Sequence, residues 1–212
     1  TVEALRDAWG GGDAVWLDPG VAAEFALDAV PANRWEVWAG LQAMGVDLVV
    51  QPRAGRRKRL LVADMDSTMI AQECIDELAA EAGVGDRVAA ITALAMNGGI
   101  GFEAALRARV ALLEGLPEGV IGTVLARRIT MTPGGATLVA TMRANGGHAA
   151  LVSGGFTAFT GPVAAALGFD EHRANVLGVA DGKLTGTVAE PILGRAAKIE
   201  ALEAIAARLG ID

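Results

Sequence analysis

Cysteine and histidine are scarce: the 212 residues contain one cysteine, Cys74, and two histidines, His148 and His172. A single thiol excludes an intrachain disulfide framework and a cysteine metal cluster, and it suits a reducing cytoplasm. Neither histidine has a metal-ligand companion nearby in sequence, so both read as structural or exposed. Positive charge is also short, with 18 Lys and Arg against 25 Asp and Glu and a formal net charge of −7. Nucleic acid and anionic membranes both favour an excess of Lys and Arg, so neither is expected as a partner. No charge-free apolar stretch approaches the ~20 residues of a membrane span, and the N-terminus lacks the basic-then-apolar order of a signal peptide. These absences predict a soluble cytoplasmic protein. What is present, 52% hydrophobic and 20% charged residues, is globular and argues against disorder.

Tryptophan is confined to positions 9, 16, 35 and 38, which marks a change of character along the chain. Residues 1–50 are expected to form a small α+β unit: a strand at 14–17, an amphipathic helix over 33–44 and a strand over 46–50. Residues 51–58, rich in Pro, Gly and basic charge, read as a solvated linker. Residues 59–212 then open with the apolar run Leu60-Leu61-Val62-Ala63, read as a buried strand. Helical spacing follows over about 74–82, 88–96, 102–113, 120–128 and 135–144, and a strand returns at 148–152. Helices therefore interrupt the strands, with a cap expected at about 73–130. Residues 175–179 and 184–188 read as a hairpin around Asp181-Gly182. A last helix over 195–209 places Ile199, Leu202, Ile205 and Leu209 on one face. The whole predicts an α/β fold.

Chemistry concentrates where the strands end. Asp64-Met65-Asp66-Ser67-Thr68 follows the first apolar run, and an extended backbone would project Asp64, Asp66 and Thr68 to one side. So short a motif is ordinarily a surface turn, but α/β folds place ligands at the carboxyl ends of strands. Leu151-Val152-Ser153-Gly154-Gly155 repeats that arrangement, with a hydroxyl and backbone amides fit to hold phosphate oxygens. Lys198 is one of three lysines. Alone it would be a surface cation; beside paired carboxylates and a Ser-Gly turn it is what an anionic transition state requires. Cys74, on an apolar helix, reads as a packed thiol, and Met69, Met96 and Met131 as packing residues.

Together, Asp64-x-Asp66-x-Thr68, the strand-terminal Ser153 and Lys198 resemble the first three motifs of the haloacid dehalogenase superfamily. Within it, the runs 64–70, 73–78, 152–157 and 181–186 are similar to the phosphoserine phosphatase family. Membership would imply a three-layer parallel-sheet core with an inserted helical cap. It would also imply hydrolysis of O-phospho-L-serine through an aspartyl-phosphate, the last step of serine biosynthesis. By this resemblance Asp64 is the nucleophile and Asp66 the proton donor and acceptor. Mg²⁺ would sit on the Asp64 carboxylate and the Asp66 backbone carbonyl. Ser153, Gly154 and Lys198 would hold the phosphoryl oxygens, Glu73 the substrate ammonium and Arg109 its carboxylate. Phe102 would close over the site from the cap, and the glycines of 97–101 would suit a lid. Residues 1–50 resemble loosely a partial ACT-like regulatory module.

The superfamily's fourth motif, which would supply a third carboxylate for Mg²⁺, is absent from residues 1–212. That departure predicts a piece of a longer protein, with metal binding and turnover impaired in the chain as it stands. Two other readings stay open: a different small-molecule phosphomonoesterase of the superfamily, or a noncatalytic amino-acid-binding regulator. A homodimer is likewise left open.

Overall fold

The computed structural model describes residues 1–211 and divides the chain into two compact units, Thr1–Arg57 and Lys58–Asp212. The first contains α1 (Val2–Trp9), β1 (Val15–Asp18), β2 (Ala22–Glu24) and α2 (Arg34–Gln42). Its two strands pair antiparallel. The strand expected over 46–50 is absent, because that apolar run has no neighbouring strand to complete its hydrogen bonds. β2 is too short to show an apolar period, whereas α1, with Val2, Leu5 and Trp9 at helical spacing, carries one that the sequence reading did not use.

The second unit is built on three parallel strands, β3 (Leu60–Ala63), β4 (His148–Phe156) and β5 (Glu171–Asn175), hydrogen-bonded in that order. Leu60 lies opposite His148 and Ala63 opposite Leu151, so Asp64 emerges level with Val152, next to Ser153. Strand alternation divides the side chains of β4 between two layers. Ala150 and Val152 pack against Ala201 and Ile205 of α9 (Arg195–Leu209). Leu151 joins the opposite layer with Phe159, Val163 and Leu167 of α8 (Thr157–Leu167). With α7 (Gly135–Ala144) also packed on that side, the core is a three-layer α/β structure.

β5 escaped the sequence reading because Glu171-His172-Arg173-Ala174-Asn175 has no apolar run. It is an outer strand of the three, held by its ladder to β4 and by polar side chains: His148 Nε2 lies 2.7 Å from Glu171, and Arg208 pairs with the same carboxylate. His172 Nδ1 meets Thr160 Oγ1 at 2.9 Å. Both histidines are thereby placed in structural contacts.

The cap comprises α3 (Cys74–Glu81), α4 (Gly85–Met96), α5 (Phe102–Ala111) and α6 (Val120–Arg127). Chain enters and leaves it through two adjacent segments: Ala71 N–H donates to the Thr130 carbonyl at 2.9 Å, and Thr132 N–H to the Met69 carbonyl at 3.0 Å. Cys74, Leu78, Leu106 and Leu113 continue the apolar cluster of Met65, Met69 and Phe156, so cap and core share one interior. Cys74 is buried, and burial pushes its thiol far above the ordinary range, which leaves it unreactive. Met69 also packs inside, but Met96 is 84% exposed at the end of α4 and contributes nothing to packing.

The hairpin forms as β6 (Leu177–Ala180) and β7 (Lys183–Val188), with Asp181 at φ 51° and Gly182 at φ 70° in the turn. It belongs with the cap: Gly115 N–H donates to the Leu184 carbonyl and Leu184 N–H to the Leu116 carbonyl, each at 2.8 Å. The cap is thus not purely helical, because a distant hairpin braces it.

One expectation about α9 is corrected. Ile205 is fully buried, whereas Ile199 and Leu202 are 60% and 44% exposed. Lys198 must face the strand ends, and at 3.6 residues per turn Ala201 and Ile205 share that face while Ile199 is rotated away. Ile205→Ala should therefore destabilise the protein by about 2–5 kcal/mol. Ile199→Ala should change stability by less than about 0.5 kcal/mol. Denaturant titration of both variants checks the assignment.

Candidate active site

Asp64 prolongs β3 by one extended residue, at φ −78° and ψ 161°, and its Oδ1 accepts from the Met65 N–H at 2.9 Å. The strand alternation then stops. Ser67 adopts a left-handed conformation at φ 51° and ψ 19° inside the turn Met65–Met69, while Met65 and Met69 anchor that turn in the core. Asp64 and Asp66 both reach one cavity, but Thr68 is turned to solvent. The expected row of three side chains is thus corrected at Thr68 by the reversal at Ser67.

Asp66 ties three elements together. Its Oδ1 accepts from the Cys74 backbone N–H at 2.9 Å, satisfying a donor that the first turn of α3 leaves free. Its Oδ2 accepts from the Ser153 hydroxyl at 3.3 Å, and Ser153 Oγ accepts from the Gly155 N–H at 2.9 Å. Ser153 is 2% exposed, so its hydroxyl is held by these partners rather than by bulk water. A Cβ added at Gly155 would lie 2.6 Å from Asp66 Oδ2 and 3.1 Å from Ser153 Oγ. The second glycine of the turn is required by this close approach.

Lys198, one turn into α9, hydrogen-bonds Asp64 Oδ2 from 134 residues away in sequence. On the cap side, the Ser67 hydroxyl donates to Glu73 Oε1 at 2.6 Å. Burial raises the Glu73 carboxyl above the usual carboxylate range; the Ser67 bond opposes this, and the negative charge of Asp66 adds to it. Arg109 is half-buried on α5. Its guanidinium donates to the Ala105 carbonyl at 3.3 Å and to the Thr92 hydroxyl at 3.4 Å, two neutral acceptors. Burial lowers its pKa, and the negative charges of Asp76 and Glu73 oppose that shift. Phe102 begins α5 and lies over the Gly154 and Gly194 backbone: an added Cβ would meet its ring at 3.1 Å and 3.4 Å respectively.

Asp64, Asp66, Glu73, Phe102, Arg109, Ser153, Gly154 and Lys198 all line this one cavity of about 290 Å³. Every predicted site residue is therefore brought together. Sequence reasoning missed the roles of Gly155 and Gly194 in giving room, and that of Ser67 in holding Glu73. It also missed Ile75 and Leu106, whose apolar side chains complete the lining. The first two are legible only once Asp66 and Phe102 have positions; Ser67 lay within the quoted motif but carried no separate signal.

Chemically, the strand ends offer a carboxylate nucleophile, a second carboxylate for proton transfer, and a hydroxyl and an ammonium for an anionic group. The cap side offers one carboxylate and one guanidinium. Asp64 and Asp66 supply hard oxygen donors of the kind Mg²⁺ takes through one or two carboxylates. Among the described residues, no group of three or more His, Cys, Asp or Glu side chains could hold a metal ion.

The model of the haloacid dehalogenase-like hydrolase family matches residues 61–212. The chain belongs to the haloacid dehalogenase-like hydrolases. This hydrolase is 42% identical over 198 residues to the phosphoserine phosphatase of Archaeoglobus fulgidus, a match covering 91% of this chain and 57% of that protein. It is 43% identical over 157 residues to the phosphoserine phosphatase of Methanocaldococcus jannaschii, covering 74% of each. A solved structure of a substrate-bound phosphoserine phosphatase superimposes with a TM-score of 0.68 at 42% identity, covering 73% of both chains. The chain spans little more than half of the Archaeoglobus relative.

Gly155→Ala should displace Asp66 and lower phosphomonoester hydrolysis by on the order of 100-fold. Gly122→Ala, where an added Cβ meets nothing within 4 Å, should leave it unchanged. Parallel steady-state assays of the two variants check this.

Proposed function

We propose that this hydrolase cleaves O-phospho-L-serine to L-serine and phosphate through an aspartyl-phosphate on Asp64. One observation carries the reading: the cavity that joins Asp64 to Lys198 and Ser153 also holds Glu73 and Arg109. One end suits a phosphate, and the other suits a group bearing both an ammonium and a carboxylate. The relatives' activity supports the same substrate.

Asp64 attacks phosphorus, and the Asp66 carboxyl gives its proton to the departing serine oxygen; Asp66 then takes a proton from the water that hydrolyses the acyl phosphate. Lys198, the Ser153 hydroxyl and the Gly154 amide hold the phosphoryl oxygens as charge develops on them. Lys198 also counters the Asp64 charge, which would otherwise repel a phosphate dianion. Mg²⁺, held by the Asp64 carboxylate and the Asp66 backbone carbonyl, would supply further neutralisation of the phosphoryl charge. Glu73 receives the substrate ammonium, and the planar fork of Arg109 receives its carboxylate. Phe102 excludes water from above. We assign the reaction to the last step of serine biosynthesis in the cytoplasm.

Phosphoserine should be preferred among phosphomonoesters, and Asp64→Asn should lower its kcat by on the order of 10⁴-fold. Arg109→Ala should raise KM for phosphoserine far more than for p-nitrophenyl phosphate, which has no carboxylate. Equal losses on both substrates would refute the assignment of Arg109.

The burial of Glu73 couples both binding and folding to pH. Only ionised Glu73 attracts the ammonium, so KM for phosphoserine should rise as pH falls through its elevated pKa. For folding the sign is opposite: a carboxyl raised in the folded state favours folding when protonated, and that contribution is lost as pH rises. At neutral pH, Glu73→Gln should therefore raise Tm while raising KM, and thermal melts beside kinetics would show both.

A further inference from the structure

Among the described residues of the second unit, three polar side chains are buried: Ser153, Thr160 and Asn175. Ser153 belongs to the cavity and Thr160 meets His172. Asn175, 2% exposed at the end of β5, does not line the cavity, yet its amide is fully engaged. Nδ2 donates to the Gly154 carbonyl at 2.8 Å and to the Leu193 carbonyl at 3.2 Å, while Oδ1 accepts from the Leu193 N–H at 2.7 Å. Two carbonyls can only accept and one N–H can only donate, so the amide has one orientation.

These partners belong to the two segments that reach the aspartate pair, the Ser153 turn at Asp66 and α9 at Asp64. Pairing between β4 and β5 shifts register between Val152 and Phe156, and within that interruption the Asn175 side chain holds the Gly154 carbonyl. The planar Gly154–Gly155 peptide is then fixed at both ends, by Asn175 at its oxygen and by Ser153 Oγ at its N–H. Two successive glycines have wide backbone freedom and depend on such outside constraint. On the other side, Leu193 precedes Gly194, the cap residue of α9, whose second turn carries Lys198. Asn175 grips Leu193 by both of its peptide groups.

We propose that Asn175 is a positioning residue that sets the Ser153-Gly154-Gly155 turn and the start of α9 at the separation needed for Ser153 and Lys198 to act on one phosphoryl group. This rests on the phosphatase reading, but the geometry it asserts can be tested without turnover. Asn175→Leu keeps the volume and removes every bond; Asn175→Asp keeps the acceptor and sets a carboxylate against two carbonyls; Asn175→Ser retains one donor.

In the intact protein, Asn175→Leu should lower kcat on phosphoserine by on the order of 100-fold. Inhibition by L-serine, which engages only Glu73 and Arg109, should be unchanged, whereas inhibition by inorganic phosphate should weaken. Asn175→Ser should recover part of the loss, and Asn175→Asp should not. Without substrate, acetic anhydride should acetylate Lys198 faster in Asn175→Leu than in the wild type, read by peptide mass spectrometry. If Asn175→Leu fails to fold, the same measurements on Asn175→Ser and Asn175→Asp decide. Loss of L-serine and phosphate inhibition in equal measure would reduce Asn175 to general structural support and overturn the inference. Unchanged Lys198 labelling together with unchanged phosphate inhibition would also overturn it. A full-length wild type that fails to hydrolyse phosphoserine would refute the phosphatase reading alone, while the labelling and phosphate results would still decide the role of Asn175.

Discussion

Asp64 and Lys198 meet at the carboxyl end of the sheet although 134 residues separate them. The pair is partly open to solvent, its side chains 36% and 40% accessible, so it contributes little to folding stability. Its importance is geometric. For the ammonium to reach the carboxylate, α9 must lie on β3 and β4 with the Ala201 and Ile205 face inward, and β3 must stop at Ala63 so that Asp64 clears the strand. The reversal at Ser67, the glycine turn after Ser153 and the small backbone at Gly155 all follow from crowding further groups around that contact. A carboxylate facing a phosphate dianion would be repelled; a carboxylate already paired with a cation can approach it.

The cap answers a different requirement, the one the proposed function assigns to substrate recognition. Glu73 and Arg109 are half-desolvated and shifted in opposite directions by burial, and among the described residues neither forms an ion pair. Such groups cost stability in the free protein and regain it when a complementary ligand supplies the missing charges. The shared apolar interior of cap and core, from Met65 through Cys74 to Leu113, carries this cost. The hairpin of β6 and β7 braces the cap, so the placement of α5 depends on residues far outside the helical insertion itself.

How much of this was legible in sequence differs by the kind of signal. Asp64, Ser153 and Lys198 stood out because an apolar run ending in a functional group is a local pattern, and the sheet preserves it. The helices of the cap were legible through their period. β5 was not, since an outer strand held by Glu171, His148 and Arg208 needs no apolar run. The inward face of α9 was misread because Ile199 and Leu202 look like core, whereas the position of Lys198 decides the rotation. Thr68 was misplaced for a related reason: a left-handed residue at Ser67 overrides strand alternation and carries no sequence signature of its own. Gly155, Gly194 and Asn175 act through neighbours from distant segments, and only the assembled structure brings those neighbours together.

The central claim is that Asp64, paired with Lys198, takes the phosphoryl group covalently. Rapid acid quenching of the intact protein during turnover of phosphoserine, followed by peptide mass spectrometry, tests it directly. The account predicts a phosphoryl group on Asp64, absent from Asp64→Asn. Sustained phosphoserine hydrolysis with no phosphoryl group on Asp64 at any quench time, or with one on another residue, would contradict it.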